Sequence, residues 1–330
     1  MEYRRFGRTD MRVSALALGC GGFGGVGSAP ELFGRGEDHG TAFALMDRAL
    51  EAGITLFDTA NSYGGGASET MIGDFLRRRR ARDRVILSTK VFNRMGPGPE
   101  DAGLSRPAIL KAIDGSLRRL QTDYVDLYVT HDDDPTTPFE ETLGAFDELV
   151  KAGKVRHTGA SNLSASRLAV ALHAADRAGM ARFQSVQNEY NLLNRTAERD
   201  VLPLCEREGL AMTPFSPTAG GWLSAKYRAA APPPPGSRMA LRPDPYRSFQ
   251  TVETYQAIDA LVDEARGRGV APITLALAWV VSHPQVTAAI IGPRRLEHFD
   301  TLLPAVELRL TQQERAAIGA RMEAHARPVN

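Results

Sequence analysis

The sequence has few cysteines and no long apolar run. Its two cysteines, Cys20 and Cys205, are too few to build a disulfide framework. No stretch approaches the roughly 18 apolar residues that a membrane helix needs. The opening, MEYRRFGRTDMRVSALALGC, also lacks the longer apolar run of a secretory signal. We therefore expect a soluble, cytoplasmic protein without a membrane partner.

The chain also lacks an excess of charge of either sign. Its formal net charge is +1 over 330 residues, of which 24% are charged and 43% hydrophobic. This balance is typical of globular proteins and gives no general attraction to polyanions. One basic run, LRRRRARDR at 76–84, has no second basic cluster to support it. We interpret it as the solvated end of a helix and expect no nucleic-acid partner.

Short β-rich runs alternate with segments of helical spacing along the chain. The strand candidates are SALAL (14–18), ITLF (54–57), VILST (85–89), YVDLYV (124–129), VRHTGA (155–160), FQSVQ (183–187), LAMTPF (210–215) and TAAII (287–291). The helical segments lie at 42–53, 69–79, 108–120, 139–153, 166–179, 198–209, 255–269 and 273–284. Short apolar strands separated by helices are typical of a buried parallel sheet. Eight such units predict one domain over residues 1–330, an α/β (β/α)8 TIM barrel, with a doubly wound open sheet as the alternative.

Three segments fall outside this alternation. EYRRF (2–6) and MRVS (11–14) flank GRTD, which is a hairpin signal. We expect this hairpin to close the bottom of the barrel. Residues 19–40 form a Gly-dense connection after the first strand, and residues 217–249, which include APPPPG, follow the seventh. Because both loops follow strands, we expect them on the catalytic face of the barrel.

The segment GFGGVG at 22–27 matches the glycine pattern of dinucleotide-binding Rossmann folds. In that fold a helix begins at once, so that its N-terminus meets the pyrophosphate. Here Gly34 and Gly36 interrupt the next turns, and the helical pattern starts only near Thr41. The nearest acid after a strand, Asp58, lies farther away than the usual spacing of about 20 residues. A Gly-rich rim loop is the better interpretation.

Four polar residues mark the ends of successive predicted strands. Asp58 follows ITLF, Lys90 ends VILSTK and His131 ends YVDLYVTH, while Tyr63 lies in the loop just after Asp58. In a barrel the carboxyl ends of neighbouring strands meet at the face that holds the active site. We therefore expect these four side chains to lie together.

Asp58, Tyr63, Lys90 and His131 make chemical sense as a group. A phenol has a pKa near 10 and is a weak acid at neutral pH. We expect the Lys90 ammonium to lower the pKa of Tyr63, and the Asp58 carboxylate to hold that ammonium in its charged form. Tyr63 would then protonate a developing alkoxide. His131 would hydrogen-bond the carbonyl oxygen and orient it.

Each of these residues also has a purely structural explanation. An Asp at a strand end usually caps a turn, and a Lys after a strand is usually solvated. The run HDDD at 131–134 could bind a metal, but the three Asp residues before Pro135 are better explained as a polar turn. We therefore expect no metal site. The four residues together, on adjacent strand ends, favour a catalytic site.

The chain resembles the aldo-keto reductase family over nearly its whole length, and the matching motifs occur in family order. The motifs are RRFGRTDMRVSALALG, LEAGITLFDTANSYGGGASE, STKV, DYVDLYVTH, KVRHTGASNLS, VQNEYNLLNR, PFSPTAGGWLSAKY and IIGPRRLEHF. The resemblance implies a catalytic tetrad of Asp58, Tyr63, Lys90 and His131 and a bound NADPH. It further implies a set of NADP(H)-binding residues, namely Gly21, Asp58, Ser161, Asn162, Gln187, Phe215, Ser216, Pro217, Thr218, Ala219, Gly221, Lys226, Gly292, Arg294, Arg295 and His298.

Within that set the resemblance implies particular contacts. Asn162 and Gln187 would bond the nicotinamide carboxamide, and Phe215, often Tyr in the family, would stack on the ring. Residues 216–221 would wrap the pyrophosphate. Arg294 and Arg295 would clasp the 2′-phosphate, because guanidinium groups suit phosphate geometry. Four positions depart from common family residues: Thr218, Trp222, His298 and Leu302.

These implications predict an NADPH-dependent aldehyde or ketone reductase. A regulatory protein on the same fold, like potassium-channel β subunits, is one alternative. A barrel hydrolase with paired carboxylates is another, but it leaves Lys90 without a purpose. Phe23, Phe92 and Trp222 are candidates to line the substrate pocket. The identity of the carbonyl substrate stays open, and monomers and homo-oligomers fit equally well.

Overall fold

Eight parallel strands form the centre of the molecule, in a computed structural model that describes residues 1–324. An antiparallel pair, β1 (Tyr3–Arg5) and β2 (Arg12–Ser14), precedes them. The parallel strands are β3 (Leu16–Gly19), β4 (Leu56–Asp58), β5 (Ile86–Val91), β6 (Val125–Thr130), β7 (Val155–Ser161), β8 (Phe183–Gln187), β9 (Ala211–Met212) and β10 (Ala289–Ile291).

The eight strands follow one another around the sheet in chain order, with β10 returning beside β3. The remaining gap between β9 and β10 closes through a parallel bridge between Met212 and Val286. Two backbone bonds support this closure, from Thr287 N–H to the Met212 oxygen at 2.8 Å and from Ile290 N–H to the Pro214 oxygen at 2.9 Å. The (β/α)8 barrel prediction is therefore confirmed, and the open doubly wound sheet is excluded.

Helices surround this barrel. In the described residues they are α1 (His39–Glu51), α2 (Ala67–Arg79), α3 (Arg106–Leu120), α4 (Phe139–Lys151), α5 (Ala165–Ala178), α6 (Val201–Glu208), α7 (Arg238–Leu241), α8 (Val252–Gly267), α9 (Pro272–Val281), α10 (His298–Leu302) and α11 (Gln312–Glu323). Short 3-10 helices lie at Pro30–Leu32, Tyr63–Gly66, Arg82–Arg84, Pro99–Asp101, Thr196–Glu198, Ala219–Ser224, Asp244–Phe249 and Leu303–Val306.

The predicted strands and helices that form the barrel agree with the structure to within about three residues at each end. Strand β8 occupies its predicted range, 183–187. Within the run 210–215, regular strand β9 spans only Ala211–Met212, and Phe215 pairs again through an isolated bridge with Glu189. Pro214, which has no N–H group to donate to a ladder, lies between the two paired stretches. The prediction missed α11, which buries only four of its twelve residues and so has a weak apolar signal.

The basic run at 76–84 begins in the last turn of α2, which agrees with its interpretation as the solvated end of a helix. Arg77 pairs with Asp74 at 3.3 Å, and Arg79 pairs with Asp47 at 2.7 Å. Arg77 and Arg79 are exposed. None of the helices in the described part of the chain is long and apolar enough to cross a membrane.

The N-terminal hairpin lies across the amino ends of the barrel strands, as predicted. Phe6 is fully buried and belongs to an apolar cluster inside the barrel that includes Val13, Leu127 and Val129. The turn approaches β8 so closely that a Cβ at Gly7 would lie 2.4 Å from the Gln184 carbonyl oxygen. The hairpin therefore covers the amino end of the barrel interior.

Replacing Phe6 by Ala should lower the free energy of unfolding by about 3 to 5 kcal/mol, because it leaves a cavity under the barrel. Urea unfolding followed by circular dichroism measures this change. Tyr3→Ala is the matched control on the same hairpin, since the Tyr3 side chain is 41% exposed. An equal loss in both variants would show that the hairpin acts as a whole and that the Phe6 ring does not seal the barrel.

Candidate active site

The carboxyl ends of neighbouring strands bring the predicted tetrad together. Asp58 ends β4 and Lys90 lies next to last in β5, while His131 directly follows β6. The strand register pairs Asp58 with Ser88 and Lys90 with Val129. The side chains therefore start from adjacent strands at one edge of the barrel.

Lys90 and Asp58 form a buried ion pair at the base of the site. The Lys90 side chain is fully buried, and its Nζ atom lies 2.6 Å from Asp58 Oδ2 and 2.8 Å from the Thr59 carbonyl oxygen. The second carboxylate oxygen of Asp58 accepts bonds from Ser88 Oγ at 3.2 Å and Gln187 Nε2 at 3.0 Å. Each charged group thus has partners, which buried charges require.

Tyr63 lies directly above this ion pair. Its ring centroid is 5.2 Å from Lys90 Nζ, and its Oη atom is 3.4 Å from His131 Nε2. The chain turns back to place the ring through Gly64 and Gly65, which have φ values of 59° and 66° and so adopt the left-handed conformation that glycine tolerates. Tyr63 as a whole residue is half-buried.

The pKa values of the site differ in one respect from the expectation. Burial raises the pKa of Tyr63, and the nearby Lys90 charge offsets this only in part. The expected lowering of the Tyr63 pKa is therefore wrong for the free protein. Burial alone would lower the pKa of Lys90, but Asp58 and Tyr63 outweigh it and raise that pKa. At neutral pH the site thus holds a protonated phenol beside an ammonium.

Burial, followed by the charge of Lys90, lowers the pKa of His131 to about 3. His131 is therefore neutral at physiological pH and carries a single ring proton. Its backbone is fixed on both sides, because its N–H donates to the Val91 oxygen at 2.8 Å and its carbonyl accepts from Asn162 Nδ2 at 2.8 Å.

Polar groups at the ends of β7 and β8 extend the site sideways. Ser161 Oγ donates to the Gln187 carbonyl at 2.7 Å. The Asn162 and Gln187 side chains donate through their NH2 groups to His131 and Asp58, which leaves their amide oxygens free to accept hydrogen bonds. Asn162 has a φ of 59°, an uncommon conformation for a residue other than glycine.

The segment after β9 follows an unusual backbone path. Ser216, Ala219 and Ala225 have positive φ values of 50°, 50° and 60°, and Gly220 and Gly221 between them are also left-handed. Non-glycine residues in this region carry strain, which is typical of ligand-binding segments. A Cβ at Gly220 would lie 2.4 Å from the Tyr246 ring, so the loop packs tightly on itself.

Several cations lie close together beyond this loop. Partial desolvation and the positive charges of Arg294, Arg238 and Arg295 lower the pKa of Lys226. Among the described residues, no carboxylate forms an ion pair with Lys226, Arg238 or Arg295. Positive charge therefore accumulates on this side of the loop, and such a concentration of charge attracts anions. His298 is exposed, and its Nδ1 atom accepts a hydrogen bond of 3.1 Å from the Arg294 backbone N–H.

Arg294 differs from its cationic neighbours because it already has partners. Its Nε atom lies 2.5 Å from Oε1 of Glu37, a residue that is only 6% exposed. Its NH1 atom donates to the Gly236 carbonyl. Arg294 thereby connects the loop at residues 19–40 with the loop at 217–249. Arg295 is exposed, and its guanidinium group has no ion-pair partner among the described residues.

The three substrate candidates are not equally accessible. Phe23 and Trp222 are each 1% exposed, and Trp222 packs against Tyr227, Phe249 and Tyr255. Their burial argues against direct contact with a substrate. Phe92 is half-buried and stays a candidate.

The remaining predicted positions are distributed around the same edge of the barrel. A Cβ at Gly21 would lie 3.4 Å from the Tyr63 ring, so Gly21 is close to the phenol. Phe215 and Thr218 are half-buried, Pro217 is buried, and Gly292 is exposed. Among the described residues, no group of three or more His, Cys, Asp or Glu side chains could hold a metal ion.

Sequence reasoning missed Asn93, Ser62, Arg238 and Glu37. Asn93 Nδ2 lies 3.2 Å from His131 Nδ1 and 3.2 Å from Ser62 Oγ. Asn93 stands three residues after Lys90, just beyond β5, so its position at a strand end was a readable signal. Arg238 and Glu37 lie in the long loops, whose paths no short-range pattern determines.

Comparison with known proteins identifies the class. The family model described as the aldo/keto reductase family matches residues 15–322. An uncharacterized oxidoreductase, YrpG of Bacillus subtilis, is 38% identical over 95% of this chain and 93% of its own. Versiconal hemiacetal acetate reductase of Aspergillus parasiticus is 32% identical over 95% of each chain. A probable voltage-gated potassium channel subunit beta of Oryza sativa is 36% identical over 88% of this chain and 87% of its own.

The barrel and these similarities define an oxidoreductase. The chain belongs to the aldo/keto reductase family.

Breaking the ion pair from one side should destabilise the fold. Lys90→Met leaves the Asp58 carboxylate buried without its cation, and we expect a loss of about 3 to 5 kcal/mol in the free energy of unfolding. The double variant Asp58→Asn, Lys90→Met should recover part of that loss, because no uncompensated charge remains. Urea unfolding of the single and double variants measures the coupling. Additive losses would contradict a direct interaction.

Proposed function

We propose that this protein catalyses the reversible reduction of an aldehyde or ketone to the alcohol, with NADPH as the coenzyme and Tyr63 as the proton donor. The observation that carries the proposal is the position of the Tyr63 phenol between the buried Lys90 ammonium and the neutral His131 ring. Family membership and relatives with reductase names support carbonyl reduction in general.

The residues at the site fit the coenzyme. Bound reduced nicotinamide supplies the hydride for such a reduction. The free amide oxygens of Asn162 and Gln187 are suited to hold the carboxamide, and the half-buried Phe215 ring offers a stacking face. The strained turn at 216–221 is suited to the pyrophosphate.

The chain's own residues would then manage the proton. The raised pKa of Tyr63 keeps the phenol protonated at neutral pH, so the proton is present when the carbonyl oxygen gains negative charge. The Lys90 ammonium stabilises the phenolate left behind, because a nearby positive charge favours the charged form of a phenol. Each unit by which this charge lowers the pKa of Tyr63 corresponds to about 1.4 kcal/mol. Asp58 keeps Lys90 charged, and His131 orients the carbonyl oxygen.

The cationic cluster supports a preference for NADP(H) over NAD(H). Lys226, Arg238 and Arg295 have no carboxylate partner in the described chain, and their charges repel one another. A 2′-phosphate would relieve this repulsion and accept charge-assisted hydrogen bonds. Arg294 would contribute from a fixed position, because Glu37 already holds its guanidinium.

Tyr63→Phe should leave NADPH binding intact and lower kcat for carbonyl reduction by about 10² to 10⁴-fold, the usual contribution of a general acid. Loss of NADPH absorbance with a panel of aldehydes and ketones measures the rate, and fluorescence titration measures binding. Tyr124→Phe is the control, because Tyr124 stands just before β6, at the opposite end of that strand from His131. Unchanged turnover in Tyr63→Phe would refute the proton-donor role.

Arg295→Gln should weaken NADPH binding about tenfold or more, since a hydrogen bond to a charged group contributes about 1.5 to 3 kcal/mol. Binding of NADH should stay the same, because NADH has no 2′-phosphate. Arg266→Gln, at the far end of α8, serves as the control for loss of one positive charge. An equal loss of affinity for NADPH and NADH would show that Arg295 does not bind the 2′-phosphate.

A second candidate function is regulatory, on the same fold and with little turnover. The similarity to a protein named as a probable potassium channel subunit beta favours it. Sustained oxidation of NADPH over many turnovers with any carbonyl of the panel supports the enzyme. Binding of NADPH without turnover across that panel would favour the regulatory protein.

A further inference from the structure

We propose that Asn93 is a positioning residue that fixes the ring proton of His131 on Nε2, so that the ring donates a hydrogen bond toward the reacting oxygen. The location of the proton is a property of the free protein. Its catalytic consequence rests on the function proposed above.

The proton's location matters because a neutral imidazole has one donor nitrogen and one acceptor nitrogen. Nε2 of His131 faces the Tyr63 Oη atom at 3.4 Å. If Nε2 carried no proton, it would accept the Tyr63 hydroxyl proton and turn it away from a substrate. If Nε2 carries the proton, both His131 and Tyr63 can donate to one carbonyl oxygen.

The contacts on the other side of the ring decide between these forms. Nδ1 of His131 lies 3.2 Å from Asn93 Nδ2, and an amide NH2 group can only donate. A bond from Asn93 therefore requires Nδ1 without a proton. Because burial and Lys90 keep the ring neutral, the single proton must then be on Nε2.

Two serine hydroxyls lie beside the same Asn93 NH2 group. Asn93 Nδ2 lies 3.2 Å from Ser62 Oγ and 3.4 Å from Ser28 Oγ, and the two hydroxyl oxygens lie 2.7 Å apart. The NH2 group thus faces three groups that can accept: Nδ1 and two serine oxygens. The serine hydroxyls share a bond with each other and retain lone pairs for the amide.

The end of strand β5 determines the position of Asn93. Strand β5 ends at Val91, whose carbonyl accepts the His131 N–H, and the chain leaves the barrel through Phe92. Lys90 and Asn93 therefore come from the same strand end but serve different partners. Lys90 acts on Tyr63 and Asp58, while Asn93 acts on His131.

The test is ¹⁵N NMR of protein labelled at histidine, recorded at neutral pH without coenzyme or carbonyl, because imidazole nitrogen shifts distinguish the two neutral forms. His131→Gln identifies the His131 signals. The wild type should show protonated Nε2 and unprotonated Nδ1. In Asn93→Asp, which keeps the shape but replaces the NH2 donor with an acceptor, Nδ1 should gain a proton.

Ser28→Ala is the matched control, since it removes a neighbour of Asn93 and leaves the contact with Nδ1 in place. Its His131 spectrum should match the wild type. A proton on Nδ1 in the wild type, or an unchanged His131 spectrum in Asn93→Asp, would overturn the proposal. A neutron structure of the wild type decides the same point if Asn93→Asp does not fold.

A kinetic measurement separates positioning from simple structural support. Asn93→Asp should lower kcat by about 10²-fold or more, as removal of a donor to a developing oxyanion does, while the Kd for NADPH stays within about twofold. The NMR result does not depend on turnover. The hypothesis about the His131 proton and the hypothesis of carbonyl reduction can therefore be refuted independently of each other. An unchanged kcat alongside a moved proton would overturn the catalytic part.

Discussion

The buried pair of Lys90 and Asp58 is the interaction on which the rest of the site depends. A fully buried ammonium is tolerated only where its charge is matched and its protons have acceptors. Asp58 and the Thr59 carbonyl meet that requirement, and Ser88 and Gln187 in turn hold Asp58. The pair therefore ties the ends of the neighbouring strands β4 and β5 to the end of β8 before any ligand arrives, which places Tyr63 over a cation of defined position.

Burial and charge act in opposite directions on Tyr63, and the balance sets its protonation in the free protein. Removing a phenol from water disfavours phenolate, whereas the ammonium favours it. Burial dominates, so the pKa is raised and the phenol keeps its proton. The same burial holds His131 neutral. Burial therefore keeps the Tyr63 phenol protonated and the His131 ring neutral, so each can donate a hydrogen bond. The Lys90 ammonium lowers the free energy that Tyr63 needs to release its proton.

The sequence predicted the barrel and the location of the tetrad because both depend on strand ends. Apolar runs mark buried strands, and the residue that follows each run must face the catalytic edge, as Asp58 and His131 do. The direction of the Tyr63 pKa was not predictable, since desolvation depends on tertiary packing. The place of Asn93 beyond a strand end indicated proximity to the site, but its contact with His131 joins residues 38 apart in the chain and depends on the tertiary fold. Trp222 shows the same limit, because its burial depends on aromatic rings up to Tyr255.

The barrel divides its site between two parts of the chain. The tetrad and Asn93 all precede residue 132, whereas Lys226, Arg238 and Arg295 all follow residue 225. Under the proposed function, proton chemistry and phosphate recognition are therefore encoded by different stretches of the gene. Mutations that alter the preference for a coenzyme can accumulate in the second stretch without changing the sheet neighbours of the proton donor.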